Sequence, residues 1–499
     1  MRDRVGIGWA TLMMCGFLPL TLLALIGLPV LAQELPVPGI AAEVESNGSL
    51  VPTTYVDGDT KDLTADLAKR VAELEKSLKK RDDADKKVSD AAAKKFVVRP
   101  FGRLHVDAGT FSQDQANKKQ VGDAENGMDI RRLRMGLEGE GFDIFFYRVD
   151  VDFVTFDAAT KTRPTVFDAY LDTQQLPVIG NLRVGHFREP FSLERLGSTN
   201  DLPFMERSNA VNTLSPFRNL GVMAFDWNES ETATWAYGVF NENTNEFGED
   251  MHDRTGVAGT GRATWLPWYD EEAEGRYLLH LGASYSYRRL GNNKERSFGV
   301  TPETIIKQGS TSGFTRTPNF VDTGSLLMSD YHVAGCEFAT VLGSFCLQGE
   351  YIFLAGQAAS VKAVPKKFSQ NVLLHGGYVE ATYWLTGENR NYLRKQGIFG
   401  AVTPHTNFFS VKTDEGRQTG SGAWELATRV STLDLNDANI KGGQLTDVSV
   451  GLNWYYAVRS RVMFDYTHAF LNRNTLKGDP NNIIRGNADI FGVRFQYVF

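Results

Sequence analysis

From Phe96 to Phe499 the chain alternates apolar and polar residues with a period of two, and this pattern restricts what it can fold into more than any other feature. In 130–139, Leu133, Met135 and Leu137 alternate with Arg132, Arg134 and Glu138. In 145–154, Phe145, Tyr147, Val149, Val151 and Phe153 alternate with Arg148, Asp150 and Asp152. The same alternation recurs in 277–289 and 445–457. It closes the chain with Phe491, Val493, Phe495, Tyr497 and Phe499 against Arg494 and Gln496. Side chains two apart share one face of a strand, so each segment has an apolar, aromatic face and a polar, charged one.

A water-soluble sandwich also alternates, but its connections are mostly short. Here segments of about ten residues carry aromatics near their ends, and long and short connections take turns. That matches a transmembrane barrel, apolar outside and polar inside. Backbone groups in lipid must be paired, and strands achieve this only in a closed barrel. The pattern predicts an all-β, 16-stranded antiparallel transmembrane β-barrel. Its strands fall near 97–110, 130–141, 143–156, 165–176, 181–188, 220–228, 232–241, 256–266, 277–290, 330–341, 344–356, 371–386, 422–433, 445–457, 459–470 and 487–499. With the first strand running outward, the short turns at 141–143, 176–181, 341–344 and 457–459 share the periplasmic side. The long connections 188–220 and 291–329 lie outside. Segment 387–421 is long yet periplasmic by this parity, so it either hides a strand pair or folds into the lumen. A barrel of this size leaves an aqueous channel.

Ahead of the barrel, residues 1–32 read as an export signal: Arg2 and Arg4, an apolar stretch from Ile7 to Leu31, then Val30-Leu31-Ala32 before Gln33. An uncleaved anchor is the alternative. Residues 33–60 read as a linker. Residues 61–95 read as a charged periplasmic helix whose Leu63, Leu67, Val71, Leu74 and Leu78 form one narrow stripe. A solvated helix and a short coiled coil both fit it. No apolar run of membrane-helix length follows residue 32. The net charge of −7 excludes the usual electrostatics of a nucleic-acid binder.

Enzyme motifs are absent: no G-x-x-x-x-G-K-[ST], no H-E-x-x-H, no paired C-x-x-C. No chemistry, metal or cofactor is implied. His280 is expected on the lumen face and His332 on the lipid face or near an interface. Cys336 and Cys346 flank a turn at Val341-Leu342-Gly343-Ser344. With 341 opposite 344, the two thiols point to opposite faces and do not pair.

Several stretches, in order over roughly 97–499, resemble the phosphate-selective porin O/P family of outer-membrane channels. They include Arg131-Arg132-Leu133-Arg134-Met135-Gly136-Leu137-Glu138-Gly139, Asp168-Ala169-Tyr170-Leu171 and Val184-Gly185-His186-Phe187-Arg188-Glu189-Pro190-Phe191. Phe204-Met205-Glu206-Arg207-Ser208, Leu385-Thr386-Gly387-Glu388-Asn389-Arg390 and Gly422-Ala423-Trp424-Glu425-Leu426-Ala427-Thr428-Arg429 continue the series. The resemblance implies a homotrimer of 16-stranded barrels in the outer membrane. It implies inward-folded loops, an in-folded periplasmic segment, and an arginine- and lysine-lined lumen that passes phosphate or polyphosphate.

An anion pathway needs fixed positive charge in a narrow, partly desolvated passage. Arginine suits phosphate because its planar fork offers two parallel donors. By parity Arg132, Arg134, Arg148 and Arg262 face inward. Arg188, Arg195, Arg207 and Arg218 lie in or beside the 188–220 connection, the expected constriction. These eight are the candidate anion track, or else charges that salt-bridge the loop to the wall. Glu189, Glu194, Asp201 and Glu206 share the loop, and Asp150, Asp152, Asp168 and Asp172 face the lumen. Small anions such as phosphate are the expected solute. A weakly selective pore, or an envelope tether working through the 61–95 helix, are the alternatives.

Overall fold

The computed structural model describes residues 69–82, 96–154, 164–242, 255–292, 294–304, 317–361, 370–413, 416–437, 439–474 and 483–499. The export signal and linker lie outside the described residues, as do 61–68 and 83–95 of the helical segment. Residues 69–82 form a helix, which belongs to a different compact unit from the barrel. No described helix is long and apolar enough to cross a membrane.

Sixteen long antiparallel strands form one closed sheet. In chain order they are β1 Arg99–Gln113, β2 Gly127–Gly141, β3 Phe145–Asp152, β4 Thr165–Leu176, β5 Gly180–Arg188, β6 Arg218–Trp227, β7 Ala233–Glu242 and β8 Gly256–Tyr269. They continue with β9 Tyr277–Arg289, β10 Asp330–Leu342, β11 Phe345–Val361, β12 Gln370–Trp384, β13 Ala423–Asp437, β14 Ile440–Ala457, β15 Ser460–Asn474 and β16 Ile483–Val498. Each pairs with its neighbours in sequence, and β16 closes on β1 from Arg103↔Val498 to Gln113↔Ala488. The strand count and the gathering of the short turns at one end match the expectation from periodicity. The short turns, the start of β1 and the end of β16 all lie at one end.

The alternation sorts residues as expected for most of the wall. Met135, Leu137, Val149 and Phe495 are exposed on the outside, while Arg132, Arg134, Asp150 and Arg494 are buried inside. One of the bulges that break the parity lies between β1 and β2. His105 faces Arg132 and Val106 faces Ile130, so β2 carries one extra residue, Arg131. A bulge re-aims a side chain, and Arg131 turns inward to Glu206 beside its neighbour Arg132.

The expectation of a uniformly polar lumen needs correction. In the outer half of β10–β16 the inward residues are apolar: Val333, Ile352, Leu354, Val372, Leu374, Leu433, Leu445, Leu471 and Ile490 are buried. They meet Phe191, Val211 and Leu214 of the 189–217 loop and Phe298, Val300, Phe320 and Val321 of the 290–329 loop in one cluster. A barrel of sixteen strands is too wide for its own side chains to fill. Two loops complete the packing on that side.

The turn between β10 and β11 also differs from expectation. Leu342 faces Phe345 and Val341 faces Cys346, so the loop is Gly343-Ser344, with Gly343 in the left-handed region at φ 64°. Cys346 points inward and is buried, whereas Cys336 faces outward across from Tyr351. Neither thiol forms a disulfide, as expected.

Candidate functional site

Three chain segments enter the barrel. The first, 189–217, crosses the lumen and touches the wall on opposite sides. Its start is fixed to β11, where the Glu350 carboxylate accepts from the backbone amides of Leu193 and Glu194 at 3.1 and 2.7 Å. Its middle meets β1 and β16: Arg103 donates to Thr199 Oγ1 at 3.2 Å, and Gln496 donates to the Asn200 carbonyl at 2.9 Å. Met205 N then donates to Asp465 on β15 at 2.7 Å. Polar atoms on three distant strands, β11, β15 and β16, satisfy backbone groups that a buried loop would otherwise leave unpaired.

The second segment brings Glu303 in from the outer loop. Its carboxylate accepts from Arg429 Nε and Nη2 at 2.9 and 2.6 Å, from Ser449 Oγ at 3.1 Å and from the Asn209 amide at 3.2 Å. Arg429 also meets Glu194 at 3.2 Å and Glu380 at 3.4 Å. One fully buried guanidinium therefore joins the constriction loop, the outer loop and β12.

The third is the segment between β12 and β13, at the end of the barrel that holds the short turns. It resolves the ambiguity of 387–421 both ways. Tyr392–Leu393 pairs with Ile398–Phe399, and Phe409–Thr413 with Gly416–Gly420, outside the barrel sheet. The first hairpin packs Tyr392, Ile398 and Phe399 against Leu193, Leu266, Leu278 and Val341 within the lumen. Tyr392 Oη meets His280 Nδ1 at 2.6 Å, and His280 Nε2 lies 3.2 Å from Glu337. Gly397 turns the hairpin at φ 63°, and a Cβ there would lie 2.7 Å from Thr264 Oγ1. His332, by contrast, is on the outer face, 2.6 Å from Tyr285 Oη.

The eight candidate arginines divide in two. Five hold carboxylates. Arg132 pairs with Glu206 at 2.8 Å, Arg134 with Asp152 at 2.7 Å, and Arg148 with Glu138 at 2.5 Å. Arg218 pairs with Asp168 at 2.9 Å, and Arg262 with Glu337 at 2.6 Å. Arg262 also donates to the Gly397 carbonyl at 2.7 Å, which places it at the seat of the 392–399 hairpin. The other three have no carboxylate oxygen within 4.0 Å among the described residues. Arg188 donates to the carbonyls of Leu196 and Gly197, at 2.5 and 3.1 Å. Arg207 donates to the carbonyls of Glu194 and Gly197, at 2.9 and 2.6 Å. Arg195 donates to Ser215 Oγ at 2.6 Å and to the Val211 carbonyl. Burial, and next the neighbouring cation of Arg195, push the Arg207 guanidinium down from its ordinary range.

The loop carboxylates are not equivalent. Burial alone would raise Glu206, but Arg131, Arg132 and Arg494 outweigh it and hold that carboxyl well below the usual range. Glu189 accepts from Arg288 at 2.7 Å and from Asn219 at 2.6 Å. Asp150, Asp152, Asp168 and Asp172 all face the lumen and are buried there. Asp172 takes both prongs of Arg183, at 2.7 and 2.8 Å. Sequence reasoning passed over Arg131, Arg183, Arg429 and Arg494. Parity alone signals the last three, and the bulge conceals Arg131.

The model of the family described as phosphate-selective porin O and P matches residues 98–499. The chain belongs to this family. Porin O of Pseudomonas aeruginosa is 25% identical over 432 residues, covering 81% of this chain and 89% of that one. An uncharacterized protein of Caulobacter vibrioides is 26% identical over 363 residues, covering 71% of this chain and 64% of that one. Among solved structures, an anion-selective porin from Comamonas acidovorans aligns with a TM-score of 0.45 and 12% identity, over 81% of this chain and all of that chain (100%). The outer-membrane channel DcaP of Acinetobacter baumannii aligns with a TM-score of 0.43 and 11% identity, over 81% of this chain and 97% of that chain. This chain is thus a porin of the outer membrane, and its family is one of channels rather than enzymes.

Proposed function

We propose that this porin passes small anions, phosphate foremost, along a track whose binding charges are Arg188, Arg195 and Arg207. The observation that carries the reading is the division among the arginines. A guanidinium already gripped by a carboxylate contributes little net field, whereas one held only by carbonyls and a hydroxyl has no paired carboxylate to offset its charge. Arg188 and Arg207 share the Gly197 carbonyl, so two such charges converge on one turn of the constriction. An arriving phosphate relieves their mutual repulsion and finds planar donors suited to its oxygens. Arg132, Arg134, Arg148, Arg218 and Arg262 shape the passage around them through their ion pairs. The name of Porin O's family, phosphate-selective, agrees with this direction.

Residues 1–32 direct export and 61–95 lie in the periplasm in this reading, and the working unit is a trimer. The test is the zero-current potential of the purified protein in a planar bilayer under a potassium chloride gradient, with phosphate titrated against the chloride current. An anion-selective potential and phosphate block, both weakened in Arg188→Gln and Arg207→Gln and retained in Arg134→Gln, support the proposal. A potential near zero without block leaves a general pore whose acids cancel its arginines.

A further inference from the structure

Every residue of the helix 69–82 is exposed, including its apolar ones. Val71, Leu74 and Leu78 are 51%, 62% and 57% exposed, so nothing described in the helix's own unit covers the stripe. A lone stripe of this kind is not stable in water without a cover. Its spacing says what shape of cover fits. Residues 71, 74 and 78 are three and four apart, the a and d positions of a heptad whose preceding d position is Leu67.

With Val71 and Leu78 at a and Leu74 at d, Arg70 falls at g and Glu75 at e. In a parallel pair, g of one helix lies beside e of the next heptad on its partner, five residues on. Arg70 then faces Glu75 of the other copy, opposite charges in both directions. In an antiparallel pair e faces e instead, setting Glu75 against Glu75 or Asp82. The charges therefore favour the parallel orientation.

We infer that residues 69–82 are an interaction surface for further copies of this chain, a parallel coiled coil in the register Arg70 to Glu75. This is independent of which solute the pore passes. Two heptads are too short to associate strongly alone. Tethering to membrane-confined barrels raises the effective concentration and makes a weak contact sufficient.

The test uses the full-length exported protein in outer-membrane preparations, with one cysteine added. Leu74→Cys at the d position should give a disulfide-linked species of two chains on mild oxidation. Lys76→Cys at the outward f position should give at least tenfold less. Arg70→Glu should cut the Leu74→Cys yield severalfold, and adding Glu75→Arg should restore it. Conductance of each variant in a bilayer confirms that the barrel has folded. Equal cross-linking at 74 and 76, none at 74 in a conducting protein, or no rescue by the charge swap would each overturn the inference.

Discussion

Removing the Glu303 carboxylate should loosen the constriction without opening the wall. In Glu303→Ala, Arg429 keeps Glu194 and Glu380 but loses its shortest ionic contact, at 2.6 Å. The Asn209 amide and the Ser449 hydroxyl lose an acceptor as well. Breaking one partner of a buried ion pair costs about 3–5 kcal/mol. Two remaining carboxylates on the same guanidinium bring this toward the lower end, about 3 kcal/mol. That is roughly a hundredfold in the balance between a seated and an unseated loop. The strand ladder is untouched, so the barrel should still insert. Single-channel recording is the assay: Glu303→Ala should show higher mean conductance with added open-channel noise, and Glu303→Gln a smaller change in the same direction. Arg429→Met should be worse than either, because it strands three buried carboxylates at once. A folded Glu303→Ala protein with wild-type conductance and noise would refute the idea that this node holds the loop.

Arg207→Gln should weaken phosphate block at least about tenfold, since one charge pair about 4 Å apart interacts by about 4 kcal/mol at an effective dielectric constant near 20 and tenfold needs only about 1.4 kcal/mol; titration of the blocked current checks it. Gly397→Val should unseat the 392–399 hairpin, since a β-branched residue at φ 63° costs about 1–3 kcal/mol and its Cβ meets Thr264; conductance should rise, and unchanged conductance would count against the hairpin's blocking role. Native protein treated with a thiol reagent in detergent should label at Cys336 well before Cys346, which is buried, and mass spectrometry should find no disulfide between them.

The wall was legible in the sequence because lipid imposes a period of two on one face of every strand. Segments such as 165–176 and 277–290 fall within a residue of β4 and β9. The lumen was less so. Tyr351-Ile352-Phe353-Leu354 and Val372-Leu373-Leu374 are apolar on both faces, and such continuous runs mark strands covered on both sides. Their message is that something packs inside, but not which loop. The eight arginines could be placed on the inner face by counting. Which of them are neutralised depends on partners such as Glu206 for Arg132 and Glu337 for Arg262, each some 75 residues away. Local periodicity carries no information at that range. A bulge adds a second blind spot, because one inserted residue moves Arg131 to the face that alternation denies it.

The apolar cluster inside the outer half of β10–β16 has a calorimetric consequence. An open, water-filled barrel unfolds mainly by giving up strand hydrogen bonds and lipid contacts. This barrel also holds a layer resembling the interior of a soluble domain, whose exposure raises the heat capacity by roughly 0.45 cal/K/mol for each Å² of apolar surface. That layer is joined to the wall by side chains and not by the ladder, so it can melt first, within an intact cylinder. Heating should then show a small early transition with its own heat-capacity step, below the main one. Over that interval the channel would be permanently wide: still a barrel, no longer a filter.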